Sequence, residues 1–305
     1  MKYCMAILIN NHTEVLVQGI TGKEGQKAAH AMLMYRTNVV GGVRPGKAGE
    51  FVEDKPVFDT VHDLINELHL SPQNLVSAIY VPPFAAKQAI LEAIDAGVGQ
   101  INVIIERIPI QDTAYCLAAA KERGVRIIGP SSLGYIAPGI GRVGVVGGPV
   151  ELVEEIYQPG SIGIISRSGG MTNELSWQLR QNGMGQSTAV HVGGDLLMGT
   201  TYADILREFE KDEQTKAVVI FGEHGGSYEF EIVEALRNNE YTKPLAIYIG
   251  GKFANTLPEG MNIGHAGAIV ERGKGAAEKE AALQEVGVMI ADRPEQLSEL
   301  IKPFA

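Results

Sequence analysis

A short apolar run at positions 15–18 ends in Gly19, Gly22 and Gly25, and a helical stretch to about residue 35 follows. A strand that turns on glycine straight into a helix is the opening unit of a dinucleotide-type α/β fold. Glycine permits so tight a turn and lets bare amides at the helix N-terminus meet an anion. The pattern then repeats. Candidate strands at 38–42, 77–81, 101–105 and 126–128 alternate with helical segments such as 85–96 and 113–123, which predicts a parallel, doubly wound sheet. Residues 1–10 carry one lysine and a short apolar run without a small-residue cleavage site, and read as a first strand rather than a signal peptide.

Between residues 129 and 160 the pattern breaks into Gly129-Pro130, Pro138-Gly139, Gly147-Gly148-Pro149 and Pro159-Gly160, which reads as a linker between domains 1–145 and 146–305. A second α/β series follows, with strands at 161–165, 188–191, 217–221, 245–249 and 288–290 and helices at 172–182, 202–210, 228–238, 276–285 and 294–301. Two domains suit a length of 305 residues. With 45% hydrophobic and 20% charged residues the chain reads as soluble and globular, and no apolar run is long enough to span a bilayer. Cys4 and Cys116 form neither a disulfide framework nor a metal-ligand spacing, so the expectation is a cytoplasmic protein without a metal site. A net charge of -10 argues against a nucleic-acid partner.

Two glycine-rich turns are candidate anion sites. The first has the spacing G-x-x-G-x-x-G rather than G-x-G-x-x-G, and its second strand runs into Arg44 and Lys47 instead of an acidic ribose partner. Those cations suit a ligand with an extra phosphate, and a solvated basic turn explains them equally well. The second, around Ser168, Gly169 and Gly170, lies between a strand and a helix, where hydroxyls and amides bind phosphoryl or carboxylate oxygens; an N-cap is the plainer explanation. Glu223 ends an apolar strand at the edge where ligands gather in open α/β sheets, and a carboxylate there can hold one imidazole nitrogen while the other acts as nucleophile. Asp195 reads as a turn residue. Among the histidines His265 stands apart, flanked by Gly264, Ala266, Gly267 and Ala268, which leave its ring open to approach. There is no G-x-S-x-G elbow and no G-x-x-x-x-G-K-[ST] loop, so ATP, if used, is bound mainly by another chain.

These blocks, taken in order from Val17-Gln18-Gly19-Ile20-Thr21-Gly22 through Ile104-Ile105-Glu106, Ile128-Gly129-Pro130, the Ser168 loop, Gly222-Glu223 and the His265 stretch, resemble the alpha-type subunit of succinyl-CoA synthetase and its relatives, the NDP-forming acid-CoA ligases. The resemblance implies a Rossmann-like CoA-binding domain followed by a flavodoxin-like ligase domain. It implies that Thr21, Gly22, Lys23, Glu24, Lys47, Ile104, Ile105 and Glu106 bind coenzyme A, that His265 is transiently phosphorylated and that Glu223 stabilises the phosphohistidine. It further implies a separate ATP-grasp beta-type subunit holding ATP or GTP with Mg.

The acid site departs from that pattern. Ser131-Ser132-Leu133-Gly134 replaces Asn-Cys-Pro-Gly, and Asn173 stands where the family has a substrate-contacting tyrosine. The stretch from Ser166 to Leu175 is more similar to ATP-citrate lyase, and an amide at 173 offers a donor and an acceptor to the extra hydroxyl or carboxylate of citrate. With the sequence ending at Ala305, short of a citrate-synthase-like domain, the expectation is the small subunit of a citryl-CoA synthetase. The alternatives are a succinyl-CoA synthetase alpha subunit, a CoA-binding regulatory protein without chemistry and, more remotely, a nicotinamide dehydrogenase.

Overall fold

The computed structural model describes residues 6–252 and 275–305. The first half runs β1 (Glu14–Gln18), α1 (Lys23–Met34), β2 (Asn38–Val43), β3 (Phe51–Val52), β4 (Lys55–Phe58), α2 (Val61–Glu67), β5 (Leu75–Ile79), α3 (Ala86–Asp95), β6 (Gln100–Val103), α4 (Ile110–Arg123) and β7 (Arg126–Ile128). Its sheet has the order β3-β4-β2-β1-β5-β6-β7, parallel except for β3 on β4. Without β3 this is the 3-2-1-4-5-6 arrangement of a Rossmann sheet. β5 is buried throughout, as a parallel strand covered on both faces must be.

The second half runs β8 (Gly134–Ala137), β9 (Gly141–Gly144), α5 (Val150–Ile156), β10 (Pro159–Ser166), α6 (Gly169–Gln181), β11 (Gln186–His191), α7 (Tyr202–Lys211), β12 (Ala217–Glu223), α8 (Tyr228–Arg237), β13 (Leu245–Gly250), α9 (Ala276–Glu285), β14 (Met289–Ile290) and α10 (Gln296–Ile301). Its order is β14-β13-β12-β10-β11-β8-β9. The five parallel strands form the 2-1-3-4-5 flavodoxin-like arrangement, extended at one edge by the antiparallel pair β8 and β9. Among the described residues no helix is long and apolar enough to cross a membrane.

Two expectations need correction. The stretch 129–160 is no linker, because β8 pairs with β11 and carries β9 with it, and the change of sheet falls between Ile128 and Gly134 rather than at 145/146. Its glycines serve close strand approach. Gly134 and Gly144 have φ of +103° and +88°, and a Cβ on either would collide with a backbone carbonyl of the facing segment. Nor do residues 6–10 form a strand. Leu8 has a φ of 65° and the Ile9 amide donates back to the Ile7 carbonyl, which breaks the extended run. Ile7 and Ile9 are nonetheless buried in an apolar cluster shared by both halves.

The hairpin also ties the halves together. Arg142 of β9 is fully buried and donates from Nε and Nη2 to the Ala31 carbonyl of α1 (3.2 and 2.9 Å) and from Nη1 to the carbonyls of Val146 and Gly148 (3.1 and 2.9 Å). The Thr37 hydroxyl donates to the Arg142 carbonyl and accepts its amide, at 2.7 and 3.0 Å. Tyr135 of β8 accepts a hydrogen bond from the Gln100 side chain of β6. The planar fork carries its five donors outward in fixed directions, so it meets carbonyls farther apart than a compact ammonium reaches. Arg142→Met should therefore lower the unfolding free energy by about 2–4 kcal/mol by leaving buried carbonyls unpaired, with Arg142→Lys giving little recovery. Equilibrium urea denaturation checks this, and an unchanged midpoint for Arg142→Met contradicts it.

Candidate active site

The first glycine turn closes as its spacing predicts. Gly19, at φ +81°, lies against Tyr80, whose carbonyl would be 2.5 Å from a Cβ there, while a Cβ on Gly25 would collide with the Gly19 carbonyl. Gly22 is the N-cap of α1 and no side chain caps that helix, so its first-turn amides, around Lys23 and Glu24, remain open to an anion. Arg44 Nη1 donates to Thr21 Oγ1 at 2.8 Å, holding a cation beside this helix end. The Lys47 amide is fixed by Asp59 Oδ1 at 3.0 Å and its ammonium pairs with Glu50 at 2.6 Å. Helix dipole, open amides and a tethered guanidinium fit the phosphate end of a nucleotide-like cofactor such as coenzyme A.

Ile104, Ile105 and Glu106 lie just past β6 rather than within it. The Ile105 carbonyl accepts the Ser131 amide at 3.0 Å, and the Ser131 hydroxyl donates to Glu106 Oε1 at 3.2 Å. Ser131 carries the chain into the second half, where its carbonyl accepts the Gly194 amide at 3.3 Å. Two residues on, the Leu133 side chain packs where a Cβ on Gly169 would have to sit. The loop after β6 and the N-terminus of α6 thus share one seam.

At that N-terminus Ser168 is the N-cap, its hydroxyl accepting the Met171 amide at 3.4 Å. Gly169 lies close under Leu133 and His191, whereas Gly170 is exposed, with open space where a Cβ would stand. Ser168 therefore caps α6, and Gly170 leaves that helix end open. Asn173 differs from expectation. Its Oδ1 accepts both the Gly147 amide (3.0 Å) and the Tyr157 hydroxyl (2.7 Å), which uses both lone pairs and leaves the NH₂ group as the side chain's remaining hydrogen-bonding group. The offer of donor and acceptor together is thereby corrected to donor alone.

Glu223 ends β12, nearly buried, and faces Arg167 of the β10–α6 turn, with an N···O separation of 3.6 Å. Arg167 is itself fully buried and donates to the carbonyls of Asp195 (2.7 Å) and Gly193 (3.4 Å). Asp195 sets the turn, as expected, by accepting the Leu196 amide at 2.7 Å. His191 is structural. Its Nδ1 accepts the Leu133 amide at 2.8 Å, so Nε2 carries the proton and donates to the Arg167 carbonyl at 2.9 Å. His224 is likewise an acceptor, taking the Ala276 amide at 3.3 Å, and burial followed by the nearby Lys279 charge lowers its pKa.

His265, with the Gly264 to Ala268 stretch, lies outside the described residues. The structure brings Ile105, Glu106, Leu133, Gly169, Arg167 and Glu223 to one seam, and the Thr21 to Glu24 turn lies at the same strand-end edge of the first sheet. Arg167 is not singled out by its sequence context, although a cation between a strand and a Ser-Gly-Gly helix start was the available signal. Among the described residues no group of three or more His, Cys, Asp or Glu is arranged to hold a metal ion. Because the Gly25 site is blocked by backbone, Gly25→Ala should distort the turn and weaken coenzyme A binding by about tenfold or more, or about 1.4 kcal/mol. Calorimetric titration measures this, and wild-type affinity would rule out this turn as the cofactor site.

Comparison with known proteins gives the family. Residues 10–107 match the CoA binding domain family and residues 165–289 the CoA-ligase family. The chain is 42% identical to a succinate–CoA ligase [ADP-forming] subunit alpha 2 of Archaeoglobus fulgidus, over 97% of this chain and 99% of that protein. It is 37% identical to an ADP-forming sulfoacetate-CoA ligase subunit of Acholeplasma sp, over 98% of each. In structure it is similar to the ATP citrate lyase of Methanosaeta concilii in complex with (3S)-citryl-CoA, with a TM-score of 0.88 at 25% identity. That likeness covers 98% of this chain but only 50% of the lyase chain. A CoA-binding domain, a CoA-ligase domain and end-to-end similarity at this level place the chain in the alpha-subunit family of the ADP-forming succinate–CoA ligases.

Proposed function

We propose that this chain is the alpha-type subunit of a cytoplasmic, ATP-dependent acid-CoA ligase that activates citrate in partnership with an ATP-grasp beta-type subunit. In this reading the γ-phosphoryl group of ATP, bound with Mg on the partner, passes to an imidazole nitrogen of His265 and ADP leaves. A carboxylate oxygen of the acid attacks that phosphorus, the P–N bond breaks and an acyl phosphate forms. The thiolate of coenzyme A then attacks the acyl carbon and expels inorganic phosphate. Glu223 holds the imidazole in one tautomer, and the α6 helix end with Ser168, Gly169 and Gly170 steadies the phosphoryl oxygens.

The observation that carries the reading is the seam itself. The loop after β6, expected to line the coenzyme A site, is hydrogen-bonded through Ser131 to the segment whose carbonyls hold Arg167 against Glu223. For the acid, the pinned amide of Asn173 is compatible with citrate, to whose additional carboxylate its N–H can donate. The likeness to ATP citrate lyase supports it too. Succinate is the second reading, favoured by the 42% identity to a succinate–CoA ligase subunit.

The test is turnover of the ligase assembled with its partner subunit, on a panel of citrate, succinate, malate and sulfoacetate. A citrate preference in kcat/KM is expected, and a succinate preference overturns that choice. His265→Ala should reduce turnover by about a thousandfold or more and abolish acid-labile phosphate on the chain. Full turnover in that variant overturns the phosphohistidine mechanism.

A further inference from the structure

Behind Glu223 lies a second pair of charges that the proposed chemistry does not use. Lys279 of α9 and Glu229 of α8 are both fully buried and meet at 2.6 Å. Each also grips the backbone of the strand end. Glu229 Oε1 accepts the Glu223 amide at 3.0 Å, while Lys279 Nζ donates to the carbonyls of Glu223 (2.7 Å) and Gly225 (2.9 Å). Gly222 makes room for this, since a Cβ there would lie 3.2 Å from Glu229 Oε1.

A buried ion pair is a poor way to gain stability, because desolvating both charges offsets most of their attraction and an apolar pair of the same volume often serves as well. What the pair does supply here is direction. The amide and carbonyl of a single residue are fixed from two helices at once, and that residue bears the carboxylate facing Arg167. Placement matters, since a displacement of about 1 Å at a reacting group can cost about a hundredfold in rate.

We propose that Lys279 and Glu229 are positioning residues that act through Glu223, clamping the end of β12 so that its carboxylate is held at the imidazole during phosphoryl transfer. The inference rests on the reading of Glu223 as the partner of the phosphorylated histidine. Burial and the Glu229 charge pull the lysine's pKa in opposite directions, burial being the stronger and lowering it.

Removing one member leaves a lone buried charge and endangers folding, so the test uses the paired neutral variant Lys279→Met/Glu229→Gln, in which the new amide oxygen can still accept from the Glu223 N–H. The readout is the rate of acid-labile phosphate incorporation from ATP into the assembled ligase, with the KM for coenzyme A and the thermal midpoint measured alongside. The expected result is a folded variant with KM for coenzyme A within about twofold of wild type and phosphorylation slowed about tenfold or more. Placed on Glu223→Gln, the same pair should cost less than about twofold further, because residues that act through one group are not additive. Additive losses, or a wild-type rate in the paired variant while Glu223→Gln is slow, overturn the positioning role and leave the reading of Glu223 intact. A wild-type rate in Glu223→Gln overturns both.

Discussion

A guanidinium without access to water must be answered by fixed acceptors, and Arg167 is answered from two neighbouring strands. Its side chain reaches the carbonyls of Gly193 and Asp195 beyond β11 and the carboxylate of Glu223 on β12, while its own carbonyl accepts from His191. One residue therefore fixes where three parallel strands end relative to each other. The start of α6 follows directly, and the position of that helix end depends on the same turn.

The second dependence runs across the seam. His191 accepts the Leu133 amide, and Ser131 bonds both to the loop after β6 and to Gly194, so the residues around Arg167 are continuous with those around Glu106. Away from this edge, Arg142 ties the β8–β9 hairpin to α1 through Ala31 and to Thr37 beyond the end of that helix. The two sheets are thus held to each other by polar contacts at both places.

Much of the fold was legible because its signals are local. Apolar runs separated by amphipathic stretches located the strands and helices of both sheets to within a few residues, and the glycine turn after β1 announced the first of them. The short elements were less visible. α2 spans only seven residues, Val61–Glu67, although its Thr60 cap accepting the Asp63 amide was a readable start signal. β8 and β9 were hidden by glycines that looked like a loop and are in fact demanded by strands in close contact. In the site, Glu223 and the Ser168 loop were legible from their places at strand ends. Arg167 and Lys279 were not, since a basic side chain is ordinarily on the surface and Lys279 sits in an Ala/Glu-rich helix that reads as solvated.

The sequence by itself determined the longer strands and helices of both sheets, the glycine turn that opens the first sheet and the strand-end location of Glu223. These follow from backbone sterics and side-chain periodicity among near neighbours. Tertiary structure alone decided that the glycine-rich stretch joins the second sheet, that Asn173 presents a donor only, and that Glu223 is held between Arg167 on one side and the Lys279–Glu229 pair behind it. Each of these depends on a residue distant in sequence supplying a partner for a buried polar group. No local pattern records that requirement, because the need for a partner arises only when folding removes water.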